Sequence, residues 1–167
     1  YAKELTKSKK NSESFANKVF SLLTFSLIGL VILAELFMPL FVSLIAPGFK
    51  SDPEKFIIAT DLTRITFPFI LFISLASFFS AILNSHNKFA AASAAPIILN
   101  IVLIFILLYA KYLNDHLVIY MSYGVSMAGF IQMIFLILVL KKIYKPQFKV
   151  NLNIDNKTKS FFKKLLP

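Results

Sequence analysis

Residues 61–100 read DLTRITFPFILFISLASFFSAILNSHNKFAAASAAPIILN. From Leu62 to Leu83 about 22 residues are almost all apolar, enough for a helix to cross a hydrocarbon core of roughly 30 Å. Asn84, Ser85, His86, Asn87 and Lys88 interrupt the run, and a second apolar stretch opens at Phe89. A polar interval that short between two spans reads as a tight helical hairpin, in which Asn84, Asn87 and Lys88 cap the helix ends.

Two further spans flank this pair. Val19 to Ala46 is the longest apolar run, about 28 residues. At about 1.5 Å per residue a straight helix of that length exceeds the bilayer core, so tilt or a kink is expected. Pro39 supplies the kink, and Ala46-Pro47-Gly48-Phe49 ends the run with two breakers. Lys50 to Asp61 reads as a short polar loop, and Lys111 to His116 as another. The last span, Leu117 to Leu140, stops at Lys141-Lys142. The sequence therefore predicts an all-α, polytopic membrane protein with four transmembrane helices at about 19–46, 62–83, 89–109 and 117–140. A polar segment, 1–18, precedes this region. A basic linker, 141–167, follows it, with an amphipathic stretch around Phe161-Phe162-Lys163-Lys164 and the start of a further helix.

Composition narrows the function classes. With 57% hydrophobic and 16% charged residues, the chain lies outside the range of soluble domains, and its main partner is the lipid bilayer. There is no cysteine, hence no disulfide or thiolate metal site, and His86 and His116 sit in separate polar intervals. No metal or cofactor is expected, and no nucleophile–base pair or phosphate loop points to an enzyme. The net charge of +10 does not indicate nucleic acid, because the lysines do not form a basic stripe with interleaved aromatics. Fourteen of the eighteen Lys and Arg residues fall in segments 1–18, 84–88 and 141–164. That bias places both chain ends and the hairpin turn in the cytoplasm, and the loop after the first span outside. The chain opens at Tyr1 rather than Met and stops where apolar residues resume. Both ends read as cut, so a longer polytopic protein or a split one is expected.

Few polar groups lie within the spans. Glu35 is the acidic residue inside an apolar run, and a carboxylate at that depth is a candidate proton or cation relay unless tilt brings it to the outer interface. Asn100 and Gln132 are candidate buried amides that bond across helices or face a polar cavity. Pro39, Pro68 and Pro96 are candidate hinges or static kinks. Ser74, Ser77 and Ala81 share a small-residue face, as do Ser122, Ser126 and Gly129. Arg64, beside Asp61, reads as an interfacial anchor.

Four motifs recur in order: Ala46-Pro47-Gly48-Phe49; Arg64-Ile65-Thr66-Phe67-Pro68-Phe69-Ile70 with Ser74-Leu75-Ala76; Ala81-Ile82-Leu83-Asn84 with Asn87-Lys88-Phe89; and Ala95-Pro96 with Leu99-Asn100. Together they resemble the MurJ/MviN family of lipid II flippases, within the multidrug/oligosaccharidyl-lipid/polysaccharide exporter superfamily. The resemblance implies fourteen transmembrane helices in two lobes, of which this chain matches helices three to six of the amino-terminal lobe. It implies alternating-access export of an undecaprenyl-pyrophosphate-linked peptidoglycan precursor across the bacterial inner membrane, in cell-wall biosynthesis. The family's cavity arginines belong chiefly to helices one, two and eight, so no substrate-binding residue carries over to this chain. Transport then requires the missing transmembrane helices, from the same or a split chain. The rival readings are another polysaccharide-lipid exporter of that superfamily and a non-transporting four-helix membrane scaffold.

Overall fold

In lipid a chain satisfies its backbone N–H and C=O groups only by bonding them to each other, and the long apolar runs accordingly form helices. The computed structural model describes residues 1, 6, 8–113 and 117–144. Its α-helices are α1 (Lys9–Leu36), α2 (Met38–Ile45), α3 (Pro53–Thr66), α4 (Phe69–Ser85), α5 (Phe89–Leu113) and α6 (Leu117–Leu140), with a 3₁₀ turn at Pro47–Ser51. No strand occurs among the described residues. Four segments are long and apolar enough to cross a membrane: α1, α3 with α4, α5, and α6. The basic linker from residue 145 onward, with its amphipathic stretch, lies outside the described residues, as does His116.

Two readings of the sequence need correction. Lys50 to Asp61 is not a loop, because α3 starts at Pro53. Asp52 caps it, its side chain accepting from the Lys55 N–H at 3.2 Å, with Pro53 and Glu54 in the first turn. Asp at the cap, Pro at the first helical position and an acid beside the positive helix end form a complete start signal. Lys111 to His116 is likewise shorter as a loop than expected, since α5 runs on to Leu113.

The prolines act differently at each site. Pro39 lies in the first turn of α2, where its missing N–H removes no bond within α2. The break falls just before it, at Phe37 (φ −109°, ψ 24°). Phe67 and Pro68 separate α3 from α4. Pro96, by contrast, lies within α5, which continues through it without a break.

The turn between α4 and α5 is a Schellman motif. Asn87 takes the left-handed conformation (φ 58°), its N–H bonds to the Asn84 carbonyl at 3.0 Å, and the Lys88 N–H bonds to the Leu83 carbonyl at 2.9 Å. Asparagine tolerates that conformation better than other non-glycine residues.

Packing centres on α6, which lies against α5, α4 and α3, while α1 packs on α4 and α2 on α3. The main apolar core joins Ala16 of α1 with Leu75, Ala76, Phe79, Ile82 and Leu83 of α4, Ala95 of α5, and Met133, Leu136 and Leu140 of α6. A second, smaller cluster joins Ala34, Met38 and Val42 to Phe56, Ala59 and Phe67. Gly129 sets the closeness of α4 and α6, since a Cβ there would stand 2.5 Å from Cδ2 of Phe69. A small face thus exists on α6 as the sequence suggests, but on α4 Ser77 and Ala81 point outward. Gly29, with nothing within 4 Å of its added Cβ, is the internal control. Gly129→Ala is expected to cost about 1–3 kcal/mol by overpacking, while Gly29→Ala leaves stability unchanged or slightly raised. Thermal unfolding of the two variants in detergent checks this, and equal midpoints would show that the approach at Gly129 is not tight.

Candidate functional site

The two helix breaks meet. The first lies between Leu36 and Met38, the second at Phe67-Pro68, and Phe67 packs into the cluster of Ala34, Met38 and Val42. Met38 is fully buried there, and the ring of Phe41 stands edge-on to Phe67 with centroids 5.5 Å apart. The pieces α2 and α3 therefore pack on each other and join α1 and α4 through breaks that meet at one layer.

Each break leaves carbonyls that need other donors. Through Phe67-Pro68 the bonding shifts to a shorter step, Ile70 N–H to Phe67 and Leu71 N–H to Pro68, both at 3.1 Å. The nearby Ile65 carbonyl accepts the Ser126 hydroxyl of α6 at 2.6 Å. One turn further along α6, Gly129 receives the Phe69 ring that opens α4. Nothing in the sequence pairs Ser126 with Ile65, and its serine spacing signals only packing. The other α6 serine, Ser122, donates to its own helix at Val118.

The candidate polar residues do not gather into one site. Glu35 is half-buried at the last turn of α1, next to the break, and its Oε1 is shielded from solvent with no hydrogen-bond partner. Gln132, only 4% exposed, sits on the α6 face of Gly129, and its Oε1 also has no partner. Asn100 is exposed near the middle of α5 rather than buried. Arg64 is exposed and stands 3.9 Å from Asp61, in keeping with an interfacial role. Asp52 pairs with Lys55 at 2.9 Å, and the hydrogen bonds from Lys55, side chain before backbone, hold its carboxyl below the usual range. No cluster of three or more metal-ligating side chains occurs among the described residues.

A second polar set closes the opposite end. Tyr144, just beyond α6, is buried and donates its hydroxyl to Asn17 Oδ1 of α1. Burial, then the nearby Tyr1 and Glu13, push the Tyr144 phenol well above its ordinary value. Tyr1 and His86 of the α4–α5 turn meet hydroxyl to Nε2 at 2.9 Å. Burial first, and the charge of Lys9 second, lower the pKa of His86, which favours the neutral ring there.

Four apolar spans, two of them broken and one of those breaks tied to α6 by the Ser126–Ile65 bond, define a multi-pass helical membrane protein. The chain belongs to the lipid II flippase MurJ family, whose model matches residues 1–167. It is 40% identical over 143 residues to the probable lipid II flippase MurJ of Rickettsia prowazekii (strain Madrid E), covering 85% of this chain and 28% of that protein. Identity is 37% over 137 residues with the protein of the same description from Buchnera aphidicola subsp. Acyrthosiphon pisum (82% and 27%). With that of Rhizobium tropici it is 41% over 126 residues (73% and 24%). The chain thus spans about a quarter of the length of these relatives.

Ser126→Ala removes a donor inside the bundle and is expected to cost about 1 kcal/mol, with Ser122→Ala close to neutral. Unfolding midpoints of the pair test this, and equal losses would place the Ser126 effect in helix packing alone. At the α4–α5 turn, the lowered pKa of His86 means that stability is full above its unfolded pKa of about 6.5 and is lost as pH falls below it. His86→Gln should flatten that part of the profile of midpoint against pH. An unchanged slope would assign the acid sensitivity elsewhere.

Proposed function

We propose that this chain forms part of a lipid II flippase that carries a lipid-linked peptidoglycan precursor across the bacterial cytoplasmic membrane by alternating access. The observation that carries this reading is the shared layer of helix breaks between α1–α2 and α3–α4. Alternating access requires helices that can change their relative tilt around a central path, and discontinuous helices at mid-membrane serve that purpose. Ser126 and Gly129 hold α6 against this layer, so a tilt of α2 and α3 is referred to a fixed neighbour. The family membership and the names of its relatives supply the substrate class.

The chain works in this reading as wall and hinge, and the cations that neutralise a pyrophosphate come from helices outside it. No Lys or Arg occurs between Val19 and Ala46, or between Phe89 and Ala110. The lysine distribution supports a placement of both chain ends and the α4–α5 turn in the cytoplasm. The multi-pass segments 19–46, 62–83, 89–109 and 117–140 then alternate in direction, with the linker 141–167 leading back on the cytoplasmic side.

Cells depleted of their own flippase provide the test. Restored supply of the complete flippase, this chain together with the remaining helices, should return labelled lipid II to the outer face, read by its cleavage with an externally added hydrolase. Because the chain has no cysteine, a single Asn87→Cys variant should in the same cells resist a membrane-impermeant maleimide while Ser51→Cys reacts. Protein present in the membrane at normal level without outward precursor would defeat the proposed activity. The reverse labelling pattern would defeat the orientation.

A further inference from the structure

Glu35 is the penultimate residue of α1, two before the break at Phe37, and its Oε1 has neither solvent nor a hydrogen-bond donor. Pro39, four residues on, has no N–H, so the backbone carbonyl of Glu35 loses the donor that a continuous helix would give it. Two oxygens of one residue, a carboxylate and a carbonyl, are thus left short of donors at the same helix end. A helix end also carries partial negative charge, which favours a cation. We propose that Glu35 and its freed carbonyl form a binding site for one small monovalent cation, a proton or Na⁺, at the hinge layer.

The surroundings offer no competing counter-charge. On α3, which packs against α2 beyond the break, Glu54, Lys55, Asp61 and Arg64 are all exposed. The residues that α3 and its end contribute to the packed cluster are Phe56, Ala59 and Phe67, and Thr60 donates back to Phe56 of its own helix. On α4, which packs against α1, Phe69 to Ser85 includes no titratable side chain. The charged residues of α1 itself, Lys9, Lys10, Glu13 and Lys18, lie at its other end, with Lys18 about 25 Å from Glu35 along the helix axis. The groove beside the break, which Glu35 itself does not line, is formed by Leu30, Leu33, Phe37, Leu40, Phe41 and Leu44, with a volume of about 350 Å³ and no charged group. A bare carboxylate in such a place is costly, whereas one neutralised by a cation is not. Occupancy removes the charge at the junction of α1 and α2, so loading the site alters how easily the two pieces tilt apart.

The inference rests on the membrane placement of α1 and not on the transported lipid, and its test needs no transport. Dicyclohexylcarbodiimide reacts with a protonated carboxyl in an apolar setting, the acid adding across the carbodiimide to leave a stable acylurea that mass spectrometry locates. The protein in native membranes should be labelled at Glu35, and Glu54 and Asp61 should not. In sodium-free buffer Glu35 should react roughly tenfold or more faster than Glu54. Slowing by Na⁺ at constant pH and ionic strength assigns the site to Na⁺, and indifference to Na⁺ assigns it to a proton. Absence of the Glu35 adduct, or labelling no faster than that of Glu54, overturns the site. Pro39→Ala returns an N–H to the Glu35 carbonyl and should change the labelling rate or its Na⁺ dependence while leaving the adduct in place. An unchanged rate and dependence overturn the two-oxygen arrangement. Glu35→Gln, which should lose the adduct, confirms the labelled position.

Discussion

A proline in a membrane helix removes one donor in a solvent that supplies none, and the architecture is organised by how those missing bonds are handled. At Phe67-Pro68 the chain shortens its hydrogen-bonding step and an Ile65 carbonyl turns to the Ser126 hydroxyl of another helix. At Phe37 the chain stops one helix and starts the next, and no such partner arrives at Glu35. At Pro96 the helix continues. Three prolines in similar apolar contexts thus give a bonded break, an open break and none.

That difference separates strength from mobility. A break bridged by a neighbouring hydroxyl ties two helices together, and Gly129 tightens the same junction by admitting an aromatic ring. A break left open is held by apolar packing alone, here Met38 and Val42 against Phe56 and Phe67. Such packing resists separation but is tolerant of sliding, since it has no fixed direction. The fold therefore combines a fixed post, α6, with a first span whose second piece is only loosely directed.

Hydropathy carried the class of fold, because four runs of about twenty or more apolar residues leave a lipid-embedded backbone little choice but helix. Local signals carried more than a loop reading allowed: Asp52-Pro53-Glu54 is a full helix start, outweighed in the sequence by its polar character. What the sequence could not show is lateral. Whether Asn100 faces a neighbour or the outside depends on which helices adjoin α5, and no periodicity contains that. The bond from Tyr144 to Asn17 joins residues 127 positions apart, and Ser126 reaches Ile65 across 61. Such pairs leave no trace in a local pattern. The Glu35 carboxylate was visible as an anomaly, but that its Oε1 is shielded from solvent and unpartnered was not.

The Schellman turn at Asn87 has a consequence for assembly. With only His86, Asn87 and Lys88 between α4 and α5, bringing those two helices side by side closes one of the smallest loops in the chain. The entropy lost in closing a loop grows with its length, so this hairpin is among the contacts that cost least to make. Once paired, its two helices present Phe79, Ile82 and Ala95, the surfaces that α1 and α6 cover in the finished bundle.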